Sequence, residues 1–247
     1  ERWIGFEQYS DVLRDGRFRR AFANTACFAL MVVPAQTLAA LLLALWVNRP
    51  EPAWRWLRGV FFVPTVLAMP ALAVLWTLLY QPAQGGEMGL INAAFAAVGL
   101  APRAWLHDPL LALPALAFMS IWQGVGLQMM VFLAGLQALP QDAFEAALLD
   151  GANAWQRTVY VTLPALRNSI VFVVSVTTIF ALRLFVQPYL MTRGGPEGAT
   201  SSVVQEIYET TFSSQDLGRA SAAAILFLLM VGALMGLQRS GMREERA

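Results

Sequence analysis

The chain has 247 residues, of which 57% are hydrophobic and 13% are charged, with a formal net charge of +1. Soluble domains carry roughly 25% charged residues, so this composition indicates a polytopic membrane protein, and the near-neutral charge gives no case for nucleic-acid binding. All 17 basic residues are Arg, and there is one His and one Cys, which excludes a P-loop lysine for ATP, a Schiff-base lysine, a His/Cys zinc site and an intrachain disulfide.

Five apolar segments are long enough to cross a bilayer, which takes about 20 mostly apolar residues. They lie at about 21–47, 59–80, 109–136, 169–191 and 217–238. Several prolines interrupt them, which transmembrane helices tolerate because neighbouring groups satisfy the freed carbonyls. The sequence therefore predicts an all-α polytopic transmembrane helix bundle in which residues 1–247 form one domain. Residues 88–100 have helical apolar spacing and predict a short interfacial helix.

The distribution of Arg predicts the orientation of these spans. If the spans alternate, the loops 48–58 and 137–168 and the tail after 238 lie on one side of the membrane. Together they carry Arg49, Arg55, Arg58, Arg157, Arg167, Arg239, Arg243 and Arg246. The positive-inside rule makes that side cytoplasmic. Residues 1–20 disagree, because they carry five Arg and fall on the external side, but the other loops are consistent with one another.

The loop at 137–168 is too polar to span a membrane, yet it is rich in Ala and Leu. A short helix that begins near Asp142 is predicted to end at Gly151, which can adopt the positive φ of a helix C-terminus. A second short helix is predicted from about Asn153 to Val161, and Pro164 is predicted to stop it. Two short helices about a glycine elbow suit the cleft of a soluble partner, although the residues alone also fit an amphipathic loop with no partner.

Polar residues within the third and fourth predicted spans mark a candidate pathway, because polar groups in a membrane usually face protein or water. Arg183 and Gln187 are four residues apart, which places them on one face of a helix. The third span has helical spacing at Ser120, Gln123, Gly124 and Leu127. Two interpretations stay open for each set: a substrate pathway, or an Arg that snorkels to the external headgroups beside a stripe of packing residues.

Three stretches of the polar loop resemble the EAA loop of ABC importer permeases: Glu145-Ala146-Ala147, Asp150-Gly151-Ala152 and Thr162-Leu163-Pro164. This form of the motif is similar to that of the carbohydrate branch, the maltose and glycerol-3-phosphate type. Phe62-Val63-Pro64 and the run from Met191 to Pro196 are similar to the F-type subunit of the permease pair, and the resemblance covers nearly the whole chain. Thr158 departs from the family, which commonly has Phe at this position.

The resemblance implies a type I ABC importer permease fold in which 137–168 is the cytoplasmic EAA coupling-helix loop, hereafter the coupling loop. The implied coupling residues are Glu145, Ala146, Ala147, Asp150, Gly151, Ala152, Leu163 and Pro164. The resemblance also matches Ser120, Gly124, Leu127, Phe180 and Leu184 to pathway-lining positions. Together with the polar residues Gln123, Arg183 and Gln187, they form the candidate pathway. In the family a further span precedes the stretch that corresponds to Ile4–Tyr9, so we expect the first span to lie upstream of Glu1.

The function implied is a permease subunit that imports a sugar or related polyol across the bacterial inner membrane and that is not itself an enzyme. The implied partners are a second, G-type permease subunit, two ATPase subunits that bind ATP and Mg, an external substrate-binding protein and membrane lipid. This chain would need no cofactor of its own. One alternative is an ABC permease for a non-sugar solute. Another is a secondary transporter, although the spans show neither the intramembrane carboxylates nor the inverted repeats typical of that class.

Overall fold

The computed structural model describes residues 6–82, 88–139, 142 and 147–241, and regular structure in this part of the chain is helical. The first six helices are α1 (Glu7–Arg14), α2 (Gly16–Val47), α3 (Pro52–Val66), α4 (Met69–Leu79), α5 (Leu90–Ala97) and α6 (Ala112–Gln137). They are followed by α7 (Ala154–Arg157), a π-helical segment (Thr158–Thr162), α8 (Leu163–Ala165) and α9 (Arg167–Leu182). The last elements are a second π-helical segment (Pro188–Thr192), α10 (Val203–Phe212) and α11 (Leu217–Gly241).

Between three and five helical segments of the described chain can cross a membrane. By length and composition α2, α6 and residues Leu217–Gly236 of α11 each qualify alone. Two bent pairs, α3 with α4 and α7–α8 with α9, raise the number to five if each pair is one span. The predicted all-α membrane bundle is confirmed, and α5 forms the short helix predicted within 88–100.

The second and fourth predicted spans are not continuous helices, and a proline explains each break. Proline lacks the N–H that would bond to the carbonyl four residues earlier, and its ring clashes with that carbonyl. Pro70 lies in the first turn of α4, and Ala68 before it is extended, with φ −63° and ψ 127°. Pro188 opens the second π-helical segment, and the Leu184 carbonyl that it leaves free accepts a hydrogen bond of 2.5 Å from the Ser202 hydroxyl.

The chain divides into two compact units. The first unit comprises Glu1–Val32, Leu67–Ser120 and Thr178–Ala247, and the second comprises Val33–Val66 and Ile121–Thr177. The second unit has a core built mainly from α2, α6 and α9, which includes the fully buried Met129, Phe132 and Leu166. In the first unit, the N-terminal helices share a core with α10 and α11. Its buried residues include Val12, Phe18, Ala21, Val203, Ala222 and Ala223.

Within the first unit, the Arg-rich N-terminal segment contacts the segment that follows the fourth predicted span. Arg20 Nη1 donates to Glu197 O at 2.7 Å, and Asn24 Nδ2 donates to Gly198 O at 2.8 Å. These two segments are 174 to 177 residues apart in sequence. Alternation of the spans assigns both of them to the same side, and their contact agrees with that requirement despite the Arg content of residues 1–20.

Two ion pairs reinforce this contact. Arg17 lies 4.0 Å from Glu206, and Arg219 pairs with Asp15. Burial raises the pKa of the Glu206 carboxyl above its usual range, while Arg17 lowers this pKa and the neighbouring Glu209 raises it. Of the Arg residues that disagree with the positive-inside rule, Arg17 thus lies near a carboxylate and Arg20 bonds to a backbone carbonyl of the protein itself.

Close packing of α3 against α6 in the second unit gives the first prediction. A Cβ at Gly126 would lie 2.0 Å from the Phe61 carbonyl oxygen, so Gly126→Ala must push the two backbones apart. We expect it to destabilise the protein by about 1–3 kcal/mol, seen as a lower midpoint of thermal unfolding in detergent.

The matched control is Gly59→Ala in α3, where an added Cβ would meet nothing within 4 Å. Ala is the better helix former, so this variant should unfold at the same temperature as the unmodified protein or slightly above it. Equal midpoints for the Gly126 and Gly59 variants would contradict the packing described.

Candidate functional site

The coupling loop contains a helix end formed around Gly151. Residues 147–149 are helical, and Gly151 takes φ +74°, as predicted. The amide of Gly151 donates to Leu148 O at 3.0 Å, and the amide of Ala152 donates to Ala147 O at 3.0 Å. These two bonds and the left-handed glycine form a Schellman motif, which satisfies carbonyls that a helix end otherwise leaves free.

A capping box begins the next helix immediately after this turn. Asn153 Oδ1 accepts from the Gln156 amide at 2.9 Å, and Gln156 Oε1 accepts from the Asn153 amide at 2.8 Å. This reciprocal pair satisfies two donors that a helix start leaves unbonded. Both helix ends at the elbow are therefore closed by local hydrogen bonds, and only Asp150, Gly151 and Ala152 lie between them.

The predicted stop at Pro164 is wrong. The chain continues through the π-helical segment Thr158–Thr162 into α8, and Pro164 lies in the first turn of α8. Pro164 lies within this continuous helical segment, directly after its π-helical part, and does not end it. The helix ends instead at Leu166, where the chain bends by 68° into α9.

The exit of the coupling loop is fixed to the core of the second unit. Leu166 is 1% exposed and packs in the cluster that contains Phe132 and Leu136. A Cβ at Gly135 would lie 2.7 Å from Ser169 Oγ and 2.9 Å from Leu166 Cδ2. The backbone of α6 thus approaches the start of α9 closely, as is usual where small residues form helix contacts in membranes.

The coupling residues of the described chain have different environments. Asp150 and Pro164 are exposed, whereas Ala147, Ala152 and Leu163 are half-buried. Glu145 and Ala146 lie outside the described residues. Large apolar side chains near the elbow are uncovered, with Leu149 89%, Trp155 75% and Tyr160 75% exposed. Exposed apolar groups that cluster on a polar loop are typical of a protein-binding surface.

The candidate pathway residues of the third predicted span fall in both units. Ser120, in the first unit, donates to Leu116 O at 2.9 Å. In the second unit, the backbone carbonyl of Gln123 accepts from Thr65 Oγ1 at 2.8 Å. Also in that unit, a Cβ at Gly124 would lie 2.3 Å from Gln36 Nε2, and Leu127 is 40% exposed. Leu127 therefore has an open side chain, while Gly124 serves close packing.

The prediction that Arg183 and Gln187 share one helical face is wrong, because α9 ends at Leu182 and Arg183 lies in a turn. Arg183 is exposed, whereas Gln187 is buried and its Nε2 donates to Ser120 Oγ at 3.1 Å. Phe180 is 60% exposed, but Leu184 is only 2% exposed and belongs to the core. The structure thus brings Ser120 and Gln187 together and separates them from Arg183.

Sequence reasoning missed the polar centre at Asn92, and it placed Gln128 in the stripe of the third span without its partner Thr177. Asn92 is fully buried, and its side chain bonds to Gln81 O, to both backbone groups of Arg103 and to Trp105 Nε1 at 2.9–3.0 Å. In the second unit, Gln128 donates to Thr177. The sequence did contain a signal for the centre at Asn92. An Asn inside the apolar segment 88–100 is expected to be buried, and buried polar groups are normally hydrogen-bonded. In the described residues no group of three or more His, Cys, Asp or Glu is placed to hold a metal ion.

Comparisons with known proteins agree with this arrangement. The family model described as "Binding-protein-dependent transport system inner membrane component" matches residues 10–240. A probable ABC transporter permease protein of Bacillus subtilis, YurN, is 33% identical over 96% of this chain and 81% of its own length. The trehalose/maltose transport system permease protein MalF of Thermococcus litoralis is 32% identical over 93% of this chain and 76% of its own length. A chain from the crystal structure of a bacterial ABC transporter involved in alginate import has the same fold, with a TM-score of 0.88 at 21% identity, over 100% of this chain and 86% of that one.

The elbow gives the second prediction. A Cβ at Gly151 would meet nothing within 4 Å, so the effect of a substitution depends on the backbone φ of +74° alone. Gly151→Val should destabilise the turn, because β-branched residues disfavour positive φ. We expect trypsin to cleave at Arg157 roughly tenfold faster, as a loss of 1–2 kcal/mol implies.

The matched control is Gly151→Asn, because Asn tolerates the left-handed conformation. It should be cleaved at nearly the rate of the unmodified chain. Equal cleavage rates for the Val and Asn variants would show that Gly151 does not need its observed φ.

Proposed function

This chain belongs to the family of inner membrane components of binding-protein-dependent transport systems, and on that premise we propose that it is a permease subunit importing a sugar or a related polyol. Members of the family are membrane components of ABC importers and are not enzymes. The observation that carries the proposal is the EAA-like sequence, which surrounds an elbow capped on both sides. The sugar class is supported by relatives such as the trehalose/maltose permease.

The coupling loop is proposed to dock on a cytoplasmic ATPase subunit. Leu149 and Trp155 are exposed there and can enter an apolar cleft, while the carboxylate of Asp150 is exposed at the elbow itself. Because the exit of the loop packs on Gly135 through Leu166 and Ser169, a displacement of the loop moves the end of α6. Closure of the ATPases would in this way reach the membrane helices.

The remaining partners and the energy source follow from the same proposal. Two ATPase subunits would bind ATP and Mg, since this chain has no Lys for a P-loop. A second, G-type permease subunit would complete the membrane part, and an external binding protein would deliver the substrate. Uptake of radiolabelled sugars by proteoliposomes that contain the whole transporter, with the ligand chosen by screening the cognate binding protein, tests this function. Uptake that follows an ion gradient without ATP would refute it.

The pathway proposal is narrower than the sequence suggested. Arg183 is exposed, and within the described part of the chain its guanidinium has no hydrogen bond or ion pair. Ser120 and Gln187 hydrogen-bond to each other, so they form a polar pair that a hydroxylated substrate can replace. Phe180 and Leu127 keep open side chains. Within the first unit we assign Arg183, Ser120, Gln187 and Phe180 to the pathway, whereas Gln123, Gly124 and Leu127 belong to the second unit and stay predictions from the sequence.

The third prediction concerns Glu145 in the coupling loop. Glu145→Lys reverses a charge where the proposed ATPase cleft presents cationic or N–H groups, and we expect it to lower uptake at least about tenfold. The variant should still insert in the membrane. Uptake and ATP hydrolysis are measured together in proteoliposomes.

Glu51→Lys is the matched control, because Glu51 is an exposed acid in the loop 48–58 on the same predicted side. It should transport normally. If the Glu145 variant also transports normally, the docking role of this motif is refuted.

The fourth prediction separates the two interpretations of Arg183. A pathway Arg makes directional hydrogen bonds that Lys cannot reproduce, so Arg183→Lys should lower uptake several-fold without loss of the assembled complex. A snorkelling Arg can be replaced by Lys with little effect. Initial uptake rates at saturating binding protein provide the measurement.

Arg103→Lys is the control, because Arg103 lies in residues 81–108 on the predicted external side. If the loss of uptake is specific to position 183, this variant should transport normally. Cys introduced at position 183 should react with a water-soluble thiol reagent at a rate that depends on the nucleotide state. If this Cys is unreactive in every state and Arg183→Gln transports normally, the pathway assignment is wrong.

A further inference from the structure

A cavity of about 540 Å³ lies in the second unit beside the coupling loop. It is lined by the end of α2 (Leu45 and Asn48), by the end of α6 (Leu136 and Gln137) and by Arg157 and Thr158 of the coupling loop. This volume is within the range of small-molecule sites, about 300–1,000 Å³. Its walls combine aliphatic side chains with two amides and one guanidinium, so one part of a ligand would meet apolar groups and another would meet N–H donors.

Arg157 lacks a partner in this cavity. Its Nε is inaccessible to water and has no hydrogen bond, and no ion pair involves its guanidinium within the described residues. The hydroxyls of Thr158 and Thr162, which also line the cavity, donate to the backbone carbonyls of Ala154 and Arg157. A half-buried guanidinium without an acceptor is unusual, because buried charges are normally paired.

Other Arg residues near the end of α2 are already engaged. Arg58 Nη2 donates to Val47 O at 2.7 Å and to Arg49 O at 2.8 Å. Arg49 lies over the Trp54 ring, 4.8 Å from its centroid. Arg58 thus occupies the carbonyls of Val47 and Arg49, and Arg49 lies against an aromatic ring. The cavity therefore has a cationic group that an anion can bind.

The position of the cavity specifies the class of anion. The loops 48–58 and 137–168 both lie on the Arg-rich side, which the positive-inside rule makes cytoplasmic. Basic pockets between transmembrane helices on that side bind anionic lipid headgroups. The guanidinium fork matches the oxygens of a phosphate, the amides of Asn48 and Gln137 supply further donors, and Leu45 and Leu136 suit the start of an acyl chain.

We propose that this cavity is a binding site for the phosphate group of an anionic membrane lipid, with Arg157 as its principal ligand. A lipid bound there would connect the coupling loop to the ends of α2 and α6. It would also stabilise the helix that follows the elbow. Arg157 is the last residue of that helix, α7, and the capping box of Asn153 begins it. The proposal does not depend on which solute is imported.

The test is lipid binding by the intact transporter, measured by native mass spectrometry with short-chain phosphatidylglycerol and phosphatidylcholine. The unmodified protein should bind phosphatidylglycerol more tightly than phosphatidylcholine. Arg157→Gln should weaken phosphatidylglycerol binding about tenfold, the loss expected for a charge-assisted hydrogen bond, and Arg157→Lys should weaken it less, because Lys keeps the charge but not the guanidinium fork. The control Arg55→Gln removes an exposed positive charge from α3 and should bind as the unmodified protein does.

A second variant tests the cavity itself. Thr158→Phe fills the space and keeps Arg157, so it should also lose phosphatidylglycerol binding. If Arg157→Gln binds like the unmodified protein, or if Thr158→Phe retains full affinity, the proposed site is refuted.

Two further outcomes identify a different ligand. Complete displacement of the lipid by millimolar inorganic phosphate would assign the cavity to a free anion and overturn the lipid source. Loss of the ATPase subunits from the Arg157→Gln complex at every lipid concentration would make Arg157 a protein contact, which would also overturn the proposal.

Discussion

The contact between Gly135 and the start of α9 determines where the coupling loop leaves the membrane helices. Within lipid, helices do not associate through the hydrophobic effect, because the acyl chains are as apolar as Leu, and close backbone packing takes its place. An added Cβ at Gly135 would lie 2.7 Å from Ser169 Oγ and 2.9 Å from Leu166 Cδ2, so a larger residue here would require these two side chains to shift. Leu166 is then enclosed beside Phe132, and the 68° bend at its position gives the loop its direction.

Polar groups in the apolar segments are used first to complete the fold. The Leu184 carbonyl, left free by Pro188, is satisfied by Ser202, and Gln187 bonds to Ser120. An unsatisfied polar group in hydrocarbon is costly, and these two bonds supply protein partners for polar groups that a substrate could otherwise contact. A stripe of polar residues in the sequence therefore predicts more polar groups facing the solute than the folded protein exposes. Arg183 differs because it lies in a turn and is exposed.

The sequence predicted those features that depend on composition or on neighbouring residues. The helical class follows from the length of the apolar segments, and the elbow follows from Gly151, whose positive φ few other residues tolerate. The effects of proline were predicted less well, because they depend on groups distant in sequence. Pro164 follows a π-helical segment and does not end the helix, whereas the carbonyl that Pro188 leaves free bonds to Ser202. The burial of Leu184 depends on contacts of this kind, which no local pattern contains.

The stiffness of the coupling loop bears on the proposed docking of an ATPase subunit, because docking can act on the membrane helices only through contact. Hydrogen bonds close the helix ends on both sides of Asp150, Gly151 and Ala152. The segment from Ala154 to Ala165 is helical throughout, including its π-helical turn. Rotation is therefore concentrated where the helical hydrogen-bond ladder is interrupted, at Gly151 and at the Leu166 bend. A force applied at the elbow moves the intervening segment as one body, and because that segment ends on Leu166, the movement reaches the core beside α6.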